Sequence, residues 1–434
     1  MATKLRERRE ISEQYHWDTD SIFASPEAWQ EALDTAKADV ARLADYQGRL
    51  GNSAGTLHEW LETSHEVGQR LYQLYVYPSL RSSVDVRDQA PRAMTSQVRS
   101  VMGHYNAVTA FGVPEIVALG RETIDRWLDE HPDLQVYRQY LSDLFRMASH
   151  IRSPEVEAIL GRVSEPFGSV SETATILTNG EMTFRDAVDS EGESAEVTHG
   201  TMRAHLGSPD RTLRRTAWES YADGYLAFKD TLANNMKTAV QQDVFFAEVR
   251  GYDNALEAAL HPHNLSTDVY FNLIETYKRH LPVWHRYWRI RRQALGSDTL
   301  HPYDIWAPLS AEEPHVPYEQ AVEWIAEGML PLGKEYVDVL RRGSLEERWV
   351  DVYPNRGKRQ GAFSSGAPGT YPFILMSYTD DIRSLSTLAH ELGHSMHSYL
   401  TWENQPLVYG NYSMFVAEVA SNFNQALVRA HLLS

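Results

Sequence analysis

Three side chains within five residues, His390, Glu391 and His394, sit in the run His-Glu-Leu-Gly-His. An α-helix turns about 100° per residue, so histidines four apart project from one face and both can reach a single metal ion. With two neutral imidazoles on Zn²⁺ and one further protein ligand, a coordination position stays open for water. The Glu391 carboxylate beside them is placed to take that water's proton as it attacks a peptide carbonyl. This H-E-x-x-H pattern points to metal-assisted hydrolysis with one Zn²⁺ per chain.

The neighbouring residues supply the helix that must carry this pattern. Ile382, Leu385, Leu388, Leu392 and Met396 recur at spacings of three and four and predict one buried stripe, and Asp380 and Asp381 suit its N-terminal end. Gly393 costs roughly 1 kcal/mol against Ala inside a helix, which implies close packing at that point or a need for room beside the metal. A second helix is predicted after Ser413, with Phe415, Val419, Phe423, Ala426 and Ala430 as its apolar stripe. Glu418 lies off that stripe and shares a polar face with Asn422 and Gln425. The intervening stretch 402–411 holds Pro406, Gly410 and two Asn, so the helices should run antiparallel and return Glu418 toward His390 and His394. A lone Glu on a helix is ordinarily surface decoration; one placed a helical hairpin after H-E-x-x-H is the expected third ligand.

The run Thr387-Leu388-Ala389-His390-Glu391-Leu392-Gly393-His394-Ser395-Met396-His397-Ser398, followed by Phe415-Val416-Ala417-Glu418-Val419-Ala420-Ser421, resembles oligoendopeptidase F of the thimet-oligopeptidase-like zinc peptidases. Lys358-Arg359 with 361–366, and Trp17-Asp18 followed by Ile22-Phe23, are also similar to that family, so the likeness runs along essentially the whole chain. It implies an active site enclosed between lobes and restricted to oligopeptide substrates. Two departures stand out. The family pattern Ser-Thr-Phe-Asn-Glu is here Ser421-Asn422-Phe423-Asn424-Gln425, which puts a neutral amide where a carboxylate behind the ligands is expected. Family members also continue past the third ligand, whereas this sequence ends at Ser434, and the resemblance implies that the segment beyond supplies Tyr and His donors to the reacting carbonyl.

Composition narrows the alternatives. A net charge of −18 makes nucleic acid a poor partner. Seven lysines leave 34 of the 41 basic residues as arginine. Zero Cys excludes disulfides, thiolate ligands and a Cys nucleophile, and fits a reducing cytoplasm. Residues 1–14 are charged and lack the apolar run of a signal peptide, and no stretch of about 20 apolar residues follows, so no membrane is expected as a partner.

Along the chain, helical periodicity dominates before residue 150, beginning with Ser25-Pro26 as cap and first turn. Around residues 182–197 the period shortens, which predicts a β-hairpin and a lobe boundary. The expected domains are 1–198, a helical lobe ending in that hairpin, and 199–434, the zinc peptidase domain, incomplete at its C-terminus. A helix from Ser266 carrying Tyr277, Trp284 and Trp288 is expected to bury its aromatic stripe. His261-Pro262-His263 has no further ligand at metal spacing. Residues 361–366 and 373–378 read as two short strands delivered just before the H-E-x-x-H helix. Phe363, Ser364 and Ser365 can there pair with an extended peptide and hold its scissile bond over the metal.

These readings converge on a mainly α-helical, two-lobed zinc peptidase with a small β-sheet beside the H-E-x-x-H helix. His390, His394 and Glu418 bind Zn²⁺, Glu391 is the general base, Gln425 and Asn422 stand behind the ligands, and internal bonds of short peptides are cut. The rival reading is a zinc-binding but catalytically silent peptide-binding protein, favoured by Gln425 and by the end at Ser434.

Overall fold

The computed structural model describes residues 6–310, 314–359 and 361–434. The chain forms two compact units, one of Met1–Phe145 with Glu313–Ser434 and one of Arg146–Glu312. The first unit is thus built from two separated stretches, and the boundary expected at 198/199 falls inside the second. The change of period at that point is a short hairpin, β1 (Ala187–Val188) paired antiparallel with β2 (Ser194–Ala195). A local change of period marks an element, whereas a unit boundary depends on which distant stretches pack together.

The N-terminal part of the first unit is a stack of helices: α1 (Pro26–Arg42), α2 (Ala54–Val84), α3 (Gln89–Thr109), α4 (Gly112–Leu119), α5 (Arg121–Glu130) and α6 (Arg138–Met147). The Ser25 hydroxyl caps α1 by accepting from the Ala28 N–H at 3.2 Å. Trp29, Leu33 and Val40 of α1 then pack on Leu71, Leu74 and Tyr77 of α2 and Val98 of α3.

The second unit holds the β1–β2 hairpin and the helices α7 (Pro154–Ile176), α8 (Met202–Leu206), α9 (Arg211–Ala227), α10 (Lys229–Arg250), α11 (Ala255–Leu260) and α12 (Thr267–Ala294). Its main polar anchor is Asp304, fully buried and held by Arg211 at 2.8 Å and Arg214 at 3.0 Å. The aromatic stripe expected to be core along α12 is instead open. Tyr277 is 57% and Trp284 45% exposed, and among the described residues Arg291 is the buried side chain of this helix. Periodicity identifies the face that would gain from burial, but burial needs an element packed against it, which periodicity does not report.

The C-terminal part of the first unit contains α13 (Tyr318–Gly328), α14 (Lys334–Leu345), β3 (Val350–Asp351), β4 (Phe363–Ser365), β5 (Phe373–Leu375), α15 (Ile382–Asn404) and α16 (Met414–Leu432). The sheet order is β3-β5-β4, with β3 parallel and β4 antiparallel to β5, so β4 is an edge strand. Because side chains alternate along a strand, the sheet has two distinct faces. Ile374 joins the core made with α13, α14 and α15, whereas Phe373 and Leu375 pack on Trp17 and on Val76, Leu80 and Val84 of α2. The register sets Ser364 opposite Ile374 and Phe363 opposite Leu375, so Ser364 points to the α15 side and Phe363 to the α2 side. Lys358 anchors the approach to β4, its ammonium 2.6 Å from the buried Asp351 carboxylate of β3, which Arg8 also holds at 2.6 Å. Among the described residues no helix is long and apolar enough to cross a membrane.

Candidate metal centre

The H-E-x-x-H helix forms where its stripe predicts. Asp381 caps α15, its carboxylate accepting from the Ser384 N–H at 2.7 Å. Leu385, Leu388, Leu392 and Met396 are buried, whereas Ile382, in the first turn, is 42% exposed. With that face fixed in the core, His390 and His394 emerge together, rings at 88° and centroids 4.8 Å apart.

α16 returns beside α15, as the turn chemistry predicts, but on a different face from the one expected. Phe415, Val419 and Phe423 are exposed, and the residues buried against the neighbouring helices are Ala417, Ser421, Asn424 and Val428. Small residues decide this packing. A Cβ on Gly393 would lie 2.6 Å from Ser421 Cα and 2.9 Å from Ala420 O, so the two backbones approach closer than any side chain at 393 permits. This resolves the choice posed by Gly393 in favour of close packing. Gly393→Ala is expected to destabilise the protein by about 1–3 kcal/mol despite the better helix former, and to weaken metal binding as α16 is pushed outward. Thermal melting and zinc titration of one preparation check this; a rise in Tm would show that the helices are not in backbone contact.

The close approach brings Glu418 Oε2 to 3.4 Å from His390 Nε2 and 3.8 Å from His394 Nε2. The donor atoms of these three residues all lie within 4.8 Å of one another, and among the described residues they are the group of this kind that can hold a metal ion. The Ser421 hydroxyl donates to Glu418 Oε2 at 2.9 Å and orients it. Behind His390, Gln425 Oε1 lies 3.0 Å from Nδ1. The Gln425 amide nitrogen donates to the Ser386 carbonyl at 3.1 Å and the Ser386 hydroxyl at 3.0 Å, which fixes the amide with its oxygen toward His390. His390 Nδ1 must then carry the proton, and in the neutral ring Nε2 presents its lone pair to Glu418. A lone pair facing a carboxylate oxygen at this distance repels it unless a cation lies between them, so the donor set fits Zn²⁺. Asn422 does not reach the imidazoles; its amide donates to the Glu418 backbone carbonyl at 2.7 Å.

Glu391 is 6% exposed. Burial, reinforced by the nearby Glu418 charge and opposed by His390 and by the Ser364 backbone N–H that donates to it, pushes its carboxyl up to about 7. Burial holds the His394 imidazole below its ordinary range. The sheet touches the site through β4, whose Ser364 hydroxyl lies 2.8 Å from that of Ser395 on α15. Phe363 faces away, its ring 6.4 Å from that of Trp17. The contributions of Ser386, Ser421 and the Ser364 N–H are absent from the sequence reading. The first two sit at helical spacing, four before His390 and three after Glu418, and that spacing is the signal that finds them.

Comparison with known proteins shows the family. Residues 204–434 match the pattern of peptidase family M3, and residues 115–184 match that of oligopeptidase F. The chain is 38% identical over its full length to oligopeptidase PepF of Bacillus subtilis and spans 65% of that protein. It is 34% identical to the group B oligopeptidase PepB of Streptococcus agalactiae, over 98% of this chain and 71% of that one. The fold superimposes on the crystal structure of a Chlamydophila abortus protein classed as a peptidase with a TM-score of 0.80 at 32% identity, covering 99% of this chain and 72% of that one.

Proposed function

The chain belongs to peptidase family M3, a family of metalloendopeptidases, and from that premise we propose that it hydrolyses internal bonds of oligopeptides in a zinc-dependent reaction in the cytoplasm. The observation that carries the reading is the convergence of His390, His394 and Glu418 beside the buried Glu391. The two imidazole Nε2 atoms and Glu418 Oε2 would hold one Zn²⁺, which when bound supplies a Lewis acid for the scissile carbonyl and makes water a nucleophile near neutral pH.

The protein's own groups account for the remaining chemistry. Glu391 takes the proton of the attacking water and returns it to the leaving amine. Its raised proton affinity suits both transfers, and a cation held by its neighbours would draw that affinity back down. The Ser364 N–H holds the carboxylate in place, and Gln425 keeps His390 in the tautomer that leaves Nε2 free. The edge strand β4, with Phe363, Ser364 and Ser365, offers backbone groups to which an extended peptide can add as a further strand. Such pairing would place the scissile carbonyl with its carbon toward Glu391.

The test is hydrolysis of an internally quenched peptide of about ten residues, followed before and after treatment with a chelator. Turnover should disappear with chelation and return with one equivalent of Zn²⁺. Helicity by circular dichroism should stay unchanged, because α15 is held by a core that does not include the ligands. The rival reading, a silent peptide-binding protein, predicts stoichiometric zinc with peptide bound and uncut.

A further inference from the structure

Away from the metal centre, where α2 meets α3, a cavity of about 410 Å³ is lined by Arg92, Arg99 and Arg359 together with Tyr75, Ser82 and Ser96 among others, and no carboxylate lines it. This is unusual for a chain with a net charge of −18. Nearby, Arg87, on the connection between α2 and α3, is by contrast matched by carboxylates, pairing with Asp85 at 2.7 Å and Glu7 at 3.0 Å. Two of the cavity arginines stack on aromatic rings. Arg99 lies over the Tyr75 ring at 5.6 Å and donates to its hydroxyl at 3.4 Å, and Arg359 lies over the Phe363 ring at 5.6 Å. Stacking on a ring face fixes a guanidinium while leaving edge N–H groups free to donate. The positive field also acts on the Tyr75 phenol, which the hydrogen bond from Arg99 holds below its ordinary range.

Three guanidinium groups around one cavity repel each other, and an anion between them removes that repulsion and uses their forked donors. We propose that this cavity binds a small polyvalent oxyanion, carrying phosphate or carboxylate groups, as a site separate from the metal centre. The sheet separates the two: Arg359 stacks on Phe363, which faces α2, whereas Ser364 turns its hydroxyl to Ser395 on α15, the helix that carries the metal centre. An anion held by Arg92, Arg99 and Arg359 would tie α2 and α3 to the stretch that leads into β4.

The experiment is isothermal titration calorimetry of the zinc-loaded protein, with ionic strength held constant by KCl. Sulfate serves as the tetrahedral dianion standing for phosphate, and glutarate as the dicarboxylate. At least one probe should bind saturably with one site per chain, and the tighter of the two names the class of group recognised. The double variant Arg92→Ala with Arg99→Ala, both exposed positions, should weaken that binding at least tenfold while leaving zinc content and peptide turnover without anion unchanged. The corresponding double lysine variant should lie between, because lysine keeps the charge and loses the fork. Absence of saturable binding by both probes, or equal binding to wild type and the alanine variant, overturns the proposal.

Discussion

Glu391→Gln is expected to lower kcat/KM for peptide hydrolysis by about 10²–10⁴ while the protein still binds one zinc. The substitution is nearly isosteric and leaves His390, His394 and Glu418 in place. The amide retains an oxygen that can accept from the Ser364 N–H, but it cannot take a proton from water. A second consequence follows from burial. In the metal-free protein the Glu391 carboxyl is raised to about 7 from an ordinary value of 4.5. A carboxyl whose folded value is raised favours the native state while protonated, so this stability is complete below pH about 4.5 and is lost as pH rises through about 7. The loss amounts to roughly 3 kcal/mol at order-of-magnitude level. Metal-free Glu391→Gln should therefore lack that decline, and its Tm relative to wild type should rise between pH about 4.5 and about 7 and hold a constant margin above that. Turnover by Glu391→Gln at the wild-type rate would end the assignment of Glu391 as the base, and parallel Tm profiles would place the carboxyl in water.

What could be read before the fold differs between the two helices of the centre. α15 was legible because each cue acts locally: Asp381 caps its own first turn, and the stripe from Leu385 to Met396 meets a core formed by elements close to it in sequence. The ligands followed from that helix and from the length of the hairpin. α16 was legible in position but not in orientation. Its large apolar residues suggested the buried face, whereas Ala417 and Ser421 pack there because Gly393 lets the backbones meet. Hydrophobic periodicity weighs side-chain size and misses contacts made by lacking a side chain. The open stripe of α12 and the division at Arg146 rather than near residue 198 share another cause. Both depend on which segments pack together across large separations in sequence.

Glu418→Gln should separate metal holding from proton transfer. Glu418 contributes the negative charge among the three donors, and its Oε2 is set by the Ser421 hydroxyl at 2.9 Å. Groups that only orient a ligand are worth about 10–100-fold in metal affinity, so losing the anionic ligand itself should cost more than about 100-fold. Ser421→Ala, which keeps the carboxylate and removes its orienting hydroxyl, should fall within the smaller range. The two carboxylate variants then differ in kind. At zinc concentrations that saturate the weakened site, Glu418→Gln should recover much of its turnover, because Glu391 is intact. Added zinc should leave Glu391→Gln at its lowered rate at every concentration. Competition titrations against a chromogenic chelator, with peptide turnover measured on the same samples, give both quantities. If Glu418→Gln held zinc as tightly as wild type, the third ligand would have to lie elsewhere, and the hairpin that returns α16 to α15 would have a purely architectural role.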